Sequence, residues 1–275
     1  MRNAEEYINK TSKFISVDGM HVHYRREGSG PVILLLHGSG SSLHCFDQLA
    51  DSLVENFEVV RLDLPGFGLT GPRRDRDYRI QTFSTFIARF MSALSIERFS
   101  VAGNSLGGNV AWNMALDYPG RVESLILMNA TGYPEKSIPS AMRLARNPLL
   151  KPLLRRWAPR KATENSVRKL VGSKMANIDD ALVDRIHAMM SRKGNRAAFV
   201  DLANTQQADR TGDIPGIKVP TLVLSGEGID GQHFARDIAN SREITFGGVG
   251  HLLPEEAPVL AAEAIRSHLN NVVRR

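Results

Sequence analysis

Residues 99–108 read Phe-Ser-Val-Ala-Gly-Asn-Ser-Leu-Gly-Gly, and the way this stretch folds decides the architecture around it. Phe99 to Gly103 is an apolar run of strand length. Leu106 to Leu116 has helical character and is ended by Tyr118-Pro119-Gly120. Between them, Gly103-Asn104-Ser105-Leu106-Gly107 fits G-x-S-x-G, the pattern of a sharp strand-to-helix turn that lifts a serine hydroxyl clear of a sheet. Such a turn forces the serine into a sparsely allowed backbone conformation. Side chains flanking it would clash, so glycine stands on both sides. The Leu106 amide then lies at a helix N-terminus, where free N–H groups and the helix dipole favour negative charge. A serine that merely caps a helix is the competing reading, and the strand–turn–helix context argues against it. A phosphate-binding loop is excluded because its spacing and its lysine are absent.

Outward from this turn the chain alternates strand and helix. Upstream, Phe14 to Val17 and Met20 to Tyr24 flank Asp18-Gly19, a hairpin signal. Val32 to Leu36 is apolar at every position, as in a strand buried on both faces of a parallel sheet. Phe46 to Phe57 has apolar residues at helical spacing, Glu58 to Leu62 reads as a strand, and Gln81 to Leu94 as an amphipathic helix. Downstream, Val122 to Met128 is a strand. Thr131 to Gly216 has no strand-like run and several helical segments broken by prolines. Pro220 to Ser225 and Arg242 to Phe246 are strands, with a short helix at His233 to Ala239 between them and a closing helix from Ala257 to Val273. This order predicts an α/β fold: a mostly parallel central sheet, helices on both faces, and a helical cap inserted after the sixth strand. The expected core domain is residues 1–130 and 217–275, and the expected cap is residues 131–216.

Of eight histidines, His251 is the expected general base. It ends a Gly-rich turn after the last strand and follows Ser105 in the order Ser…acid…His. Histidine suits the task because its pKa lies near operating pH. His37, which opens His37-Gly38-Ser39-Gly40-Ser41-Ser42, reads as a brace for the loop after the third strand. The other six carry no motif. The acid that orients His251 should follow the strand Pro220 to Ser225. Asp230 is the first choice and Glu227 the second, while Asp237 is expected on a helix surface. The Ser39 amide is expected to join that of Leu106 in binding an oxyanion.

Bulk composition narrows the class. The 275 residues are 42% hydrophobic and 23% charged, enough for a sizeable core. No run approaches the length of a membrane span, and the first residues lack the apolar stretch of a secretory signal. Cys45 is the single cysteine, which excludes an intramolecular disulfide and disfavours a cysteine-based zinc site. A cytoplasmic protein is expected. The net charge of +6 sits in one place: residues 134–218 hold 17 Lys and Arg against 8 Asp and Glu. No nucleic-acid-binding motif accompanies this excess. It reads as a solvated basic helical surface or as a field that draws anionic substrates to a mouth in the insert.

The segments HGSGSS (37–42), LDLPGFGLTGP (62–72), GNSLGG (103–108), PTLVLSGE (220–227) and GVGH (248–251) together resemble the capped branch of the α/β-hydrolase superfamily, from about Phe14 to about Leu269. The resemblance implies a triad of Ser105, Asp230 and His251, oxyanion amides on Ser39 and Leu106, and neither a metal nor an organic cofactor. GNSLGG and HGSG also look like the carbon–carbon bond hydrolases that act on meta-cleavage products. Arg185 falls near where those enzymes place an arginine for the substrate carboxylate, and Gly38 and Asn104 are further substrate-binding candidates. Three positions depart from the family pattern. Leu252 stands where those enzymes commonly have Trp. Ser41-Ser42 replaces Pro-Gly. Ile229 occupies the expected aspartate place, with Asp230 one residue later and the following loop shortened. A serine at the turn speaks against the aspartate-based dehalogenase and epoxide hydrolase chemistries, because a neutral hydroxyl needs a base and an electrophilic acyl carbon. The expectation is therefore a serine hydrolase of a small carboxylic ester or anionic acyl substrate. The alternatives are cleavage of a vinylogous diketo acid and a non-catalytic ligand-binding receptor.

Overall fold

The computed structural model describes residues 3–134, 139–173, 179–228 and 230–273. Eight strands form one sheet: β1 (Lys13–Val17), β2 (Met20–Glu27), β3 (Val32–Leu36), β4 (Glu58–Leu62), β5 (Phe99–Asn104), β6 (Val122–Met128), β7 (Thr221–Gly226) and β8 (Ser241–Phe246). Their spatial order is β1-β2-β4-β3-β5-β6-β7-β8. From β4 onward every neighbouring pair is parallel, and only β1–β2 and β2–β4 are antiparallel. The hairpin closes as the sequence predicts, with Val17 opposite Met20. Asp18 (φ 50°) and Gly19 (φ 74°) take the left-handed conformation that a two-residue turn of matching twist requires.

Helices α1 (Asp47–Leu53), α2 (Ile80–Ala93), α3 (Leu106–Asp117) and the last helix, Pro258–Val273, cover the two faces. Alternate residues of each buried strand serve opposite layers. Leu34 and Leu36 pack with Phe83, Phe86 and Val110 of α2 and α3. Ile33 and Leu35 pack with Leu49 of α1 and Ile265 of the last helix. Each fully buried Leu or Ile contributes roughly 1.5–3 kcal/mol. Helix α1 stops at Leu53, short of the predicted Phe57. The last carbonyls of this segment meet the Gly28 turn, where a β-carbon would lie 2.6 Å from the Val54 oxygen. Phe57 is buried in the turn that enters β4.

Between β6 and β7 the described residues form helices only: α4 (Ser140–Arg146), α5 (Lys151–Leu154), α6 (Arg160–Arg168), α7 (Asp180–Ser191) and α8 (Asn195–Asn204), then a 3-10 turn, Thr211–Gly216. Among the described residues no helix is long and apolar enough to cross a membrane.

A buried polar cluster braces the loops at the carboxyl ends of β3 and β4. Asp63 accepts hydrogen bonds at 2.7 Å from the amides of Leu43 and Leu69 and from His23 Nδ1. Burial pushes its carboxyl up, but the hydrogen bond and charge of His23 outweigh this and bring it to about 2. His44, close by, is lowered from 6.5 to about 4, chiefly by burial, with Asp63 opposing. The unfolded chain therefore protonates His44 first. Its contribution to stability is complete above about pH 6.5 and declines as pH falls towards 4. We expect the melting temperature to fall across that interval and His44→Gln to flatten the fall. Parallel curves for the two proteins would show that His44 is not responsible.

Candidate active site

The sheet reverses its direction of winding between β3 and β5, which are neighbours although β4 separates them in sequence. Open α/β sheets bind ligands at such a point, outside the carboxyl ends of the strands. The loops leaving β3 and β5 here are His37–Ser42 and the turn at Ser105. Ser105 has φ 54° and ψ −113°, a conformation that costs a non-glycine residue about 1–3 kcal/mol. The surroundings hold it there. Ser105 N donates to Met128 O at 3.1 Å, and Ser105 O accepts from Asn109 N at 3.0 Å. A β-carbon on Gly103 would overlap the Gly107 carbonyl, and one on Gly107 would overlap the Leu36 carbonyl. Glycine at both positions is thus a packing requirement of the bend. Leu106 opens α3, so its amide has no acceptor within the helix.

The loop after β3 lies against this bend. A β-carbon on Gly38 would sit 3.2 Å from Ser105 Cβ and 3.4 Å from Asn104 Oδ1. His37 beneath it is fully buried, accepts from the Leu64 amide through Nε2 at 2.9 Å, and donates from Nδ1 to Gly38 O at 2.8 Å. Both ring nitrogens are thereby committed, and burial lowers its pKa. His37 is a neutral brace and not a base.

His251 is carried to the same place by the loop after β8. Its amide donates to Leu170 O at 2.6 Å, and its carbonyl accepts from Asn104 Nδ2 and Asn129 Nδ2, both at 3.2 Å. Two residues that sequence reading did not single out organise this loop. Asn129, buried and left-handed (φ 44°), accepts from Gly226 N at 2.7 Å and donates to Gly250 O at 2.9 Å. It ties the ends of β6 and β7 to the histidine loop. Glu256 accepts from the amides of Gly172, Gly250 and Leu252 at 2.7, 2.9 and 3.0 Å. The only sequence signal for Asn129 is an asparagine directly after a buried strand, and Glu256 reads as one of two acids opening a helix.

Gly38, Ser39, Asn104, Ser105, Leu106 and His251 all line one cavity of about 760 Å³. A second depression, of about 710 Å³, lies at the opposite, amino-terminal ends of the strands, near Pro31, Ser100, Val122 and Pro220. The wall facing the serine comes from the helical insert. Met190 and Phe199 line the cavity there, 3.6 and 3.8 Å from where a Gly40 β-carbon would be. Met189 is instead buried with Ala4 and Leu69, and Trp157 is exposed. Cys45 also lines the cavity, and burial pushes its thiol far up, so it stays protonated.

Asp230 and Glu227 are both exposed in the loop after β7. Glu227 N donates to Val249 O at 2.7 Å, which pins this loop beside the histidine loop. Asp237 is partly covered, accepting from the Tyr133 hydroxyl at 2.8 Å. Arg185 lies behind the cavity wall. It donates to Glu255 at 2.5 Å, and Glu255 is itself a lining residue. Burial pushes the Glu255 carboxyl above the usual range, and Arg185 opposes this. Among the described residues, no group of three or more His, Cys, Asp or Glu is placed to hold a metal ion.

Comparison with known proteins agrees with the fold. The family described as alpha/beta hydrolase fold matches residues 31–258. The uncharacterized hydrolase YugF of Bacillus subtilis is 25% identical over 94% of this chain and 98% of its own length. A 2-hydroxy-6-oxononadienedioate/2-hydroxy-6-oxononatrienedioate hydrolase of Burkholderia vietnamiensis is 30% identical, over 88% of this chain and 89% of that protein. A thermophilic esterase from Thermogutta terrifontis superposes with a TM-score of 0.80 at 24% identity, covering 95% of this chain and 98% of the esterase. With the model match spanning most of its length, the chain belongs to the alpha/beta hydrolase fold family and is a hydrolase.

Proposed function

We propose that this hydrolase cleaves small carboxylic esters through an acyl-enzyme on Ser105. The observation that carries the reading is the strained Ser105 in the wall of a cavity that His251 also lines. The Ser105 hydroxyl attacks the ester carbonyl carbon while His251 takes its proton. The tetrahedral oxyanion is held by the amides of Leu106 and Ser39, each worth about 2.7–4 kcal/mol in the transition state. Collapse breaks the C–O bond, and His251 returns the proton to the departing alcohol. Water, deprotonated by His251, then attacks the acyl carbon and releases the acid and Ser105. Asp230 accepts a hydrogen bond from His251 Nδ1–H and fixes the tautomer, with Glu227 as the alternative. The insert, residues 131–216, acts as the cap that shapes the acyl pocket.

A second reading is hydrolysis of a carbon–carbon bond in a vinylogous diketo acid, with Arg185 on the substrate carboxylate. The named activity of the Burkholderia vietnamiensis relative, on a dioate, favours it. The Arg185–Glu255 pair weighs against it, because an incoming carboxylate must displace Glu255. A fluorophosphonate should label Ser105, and p-nitrophenyl esters of rising chain length should be turned over where a diketo acid is not. Diketo-acid turnover that Arg185→Ala abolishes, with ester turnover intact, would reverse the ranking. Absence of label on Ser105 would remove both readings.

Asn129 has an expected effect of its own. Asn129→Ala leaves the buried Gly226 amide unsatisfied and frees the histidine loop, so kcat should fall about tenfold or more with KM little changed. The unpaired amide should also cost about 1–3 kcal/mol of stability. Steady-state kinetics beside urea unfolding tests this, and unaltered kcat in a destabilised protein would mean that Asn129 has no positioning role.

A further inference from the structure

The insert exposes large apolar side chains in one short segment. Leu149 is 88% exposed, Trp157 56%, Leu153 53% and Leu144 49%. Helical hydrogen bonds continue past α5, from Leu154 N to Leu150 O and from Trp157 N to Leu153 O. Leu150, Leu153 and Trp157 therefore fall at i, i+3 and i+7 and share one face. Leu154, which borders this row on its inward edge, packs towards Phe199 and Val200 and lines the cavity. An outward row of leucines ending in tryptophan gains nothing from water.

The segment that carries it is basic. Residues 139–161 contain seven Lys and Arg and no acid. Three of the seven are already paired: Arg155 with Asp201, Arg160 with Asp180 and Asp184, and Lys161 with Glu164. Arg143, Arg146, Lys151 and Arg156 have no ion-pair partner among the described residues. A second copy meeting this face would bring four more uncompensated cations against them. An anionic surface with an apolar layer beneath satisfies both features. Leucines and a tryptophan enter the headgroup–acyl boundary while arginines and lysines meet lipid phosphates.

We propose that this face, built by the segment from Leu144 to Trp157, docks the protein peripherally on bilayers containing anionic phospholipid. Because the inner side of the same turns lines the cavity, docking sets the rim of the cavity at the lipid surface.

The test is flotation of the full chain with phosphatidylcholine vesicles, with and without about one-third phosphatidylglycerol, at low and high salt. The chain should float with the anionic vesicles only, release at high salt, and shift its tryptophan emission to the blue. L149S/L153S/W157S and R143E/K151E/R156E should each lose at least about tenfold in partitioning. Both should keep the melting temperature and the rate on a soluble ester. The melting curve monitors folding independently of the proposed ester activity. The proposal is overturned if the wild type stays unbound with anionic vesicles, floats equally well with phosphatidylcholine alone, or if either variant binds undiminished. It is equally overturned if the wild type is a dimer that the variants dissociate, which would make the face a self-interface.

Discussion

Replacing Ser105 by alanine is expected to lower kcat/KM for a p-nitrophenyl ester by at least about a thousandfold, and up to about a millionfold, with the fold unchanged. The substitution removes only Oγ. The β-carbon remains, so the backbone stays at φ 54° under the same constraints from Met128, Asn109 and Gly107. Stability should therefore stay within about 0.5 kcal/mol of wild type. What is lost is the atom proposed to form the acyl bond. The Leu106 and Ser39 amides proposed to hold the oxyanion remain, and for that reason a residual rate above that in water is expected. Ser105→Gly makes a second comparison. It relieves the left-handed strain, so it should be equally inactive yet no less stable. Kinetics of the purified proteins with matched melting curves decide the matter. A Ser105→Ala protein that keeps more than about a tenth of wild-type activity would mean that another group is the nucleophile.

The second large effect is on folding. In Gly107→Ala, the new methyl group meets the Leu36 carbonyl and lies 2.8 Å from the His37 oxygen. Both belong to the main chain of β3 and its exit, so no side chain can rotate away. Either α3 or the end of β3 must move. Overpacking against rigid backbone costs about 3 kcal/mol or more, a fall of roughly 10 °C in melting temperature for a chain of this size. The displaced end of β3 carries Gly38, which sits against Ser105, so activity well below the new melting point should fall too. Gly120→Ala is the matched control. A β-carbon there meets nothing within 4 Å, and the change should be neutral within about 0.5 kcal/mol. Equal stability of the two variants would mean that the contact between α3 and β3 is looser than the geometry implies.

Much of this was readable before any coordinates. All eight strands overlap the runs read as strands; the central ones are largely apolar because burial on both faces of a sheet demands it, and hairpins and bends demand residues that tolerate unusual φ. The bend at Ser105 was legible for the same reason: its constraints are local, and Gly103 and Gly107 are their trace. Helix α1 was overextended because Phe57 is buried by the turn into β4, not by helical periodicity.

The sequence by itself determined the order of strands and helices, the strand–turn–helix bend with its serine, and the loop that carries His251, since each rests on interactions among neighbours along the chain. Tertiary structure alone decided that Asn129 and Glu256 hold the histidine loop, that Arg185 faces Glu255, and that Met190 and Phe199 wall the cavity. Apart from the bonds of Glu256 to Gly250 and Leu252, those contacts join segments dozens to more than a hundred residues apart. A hydrogen bond between two such segments leaves no periodicity in either one, so only the folded chain can reveal it.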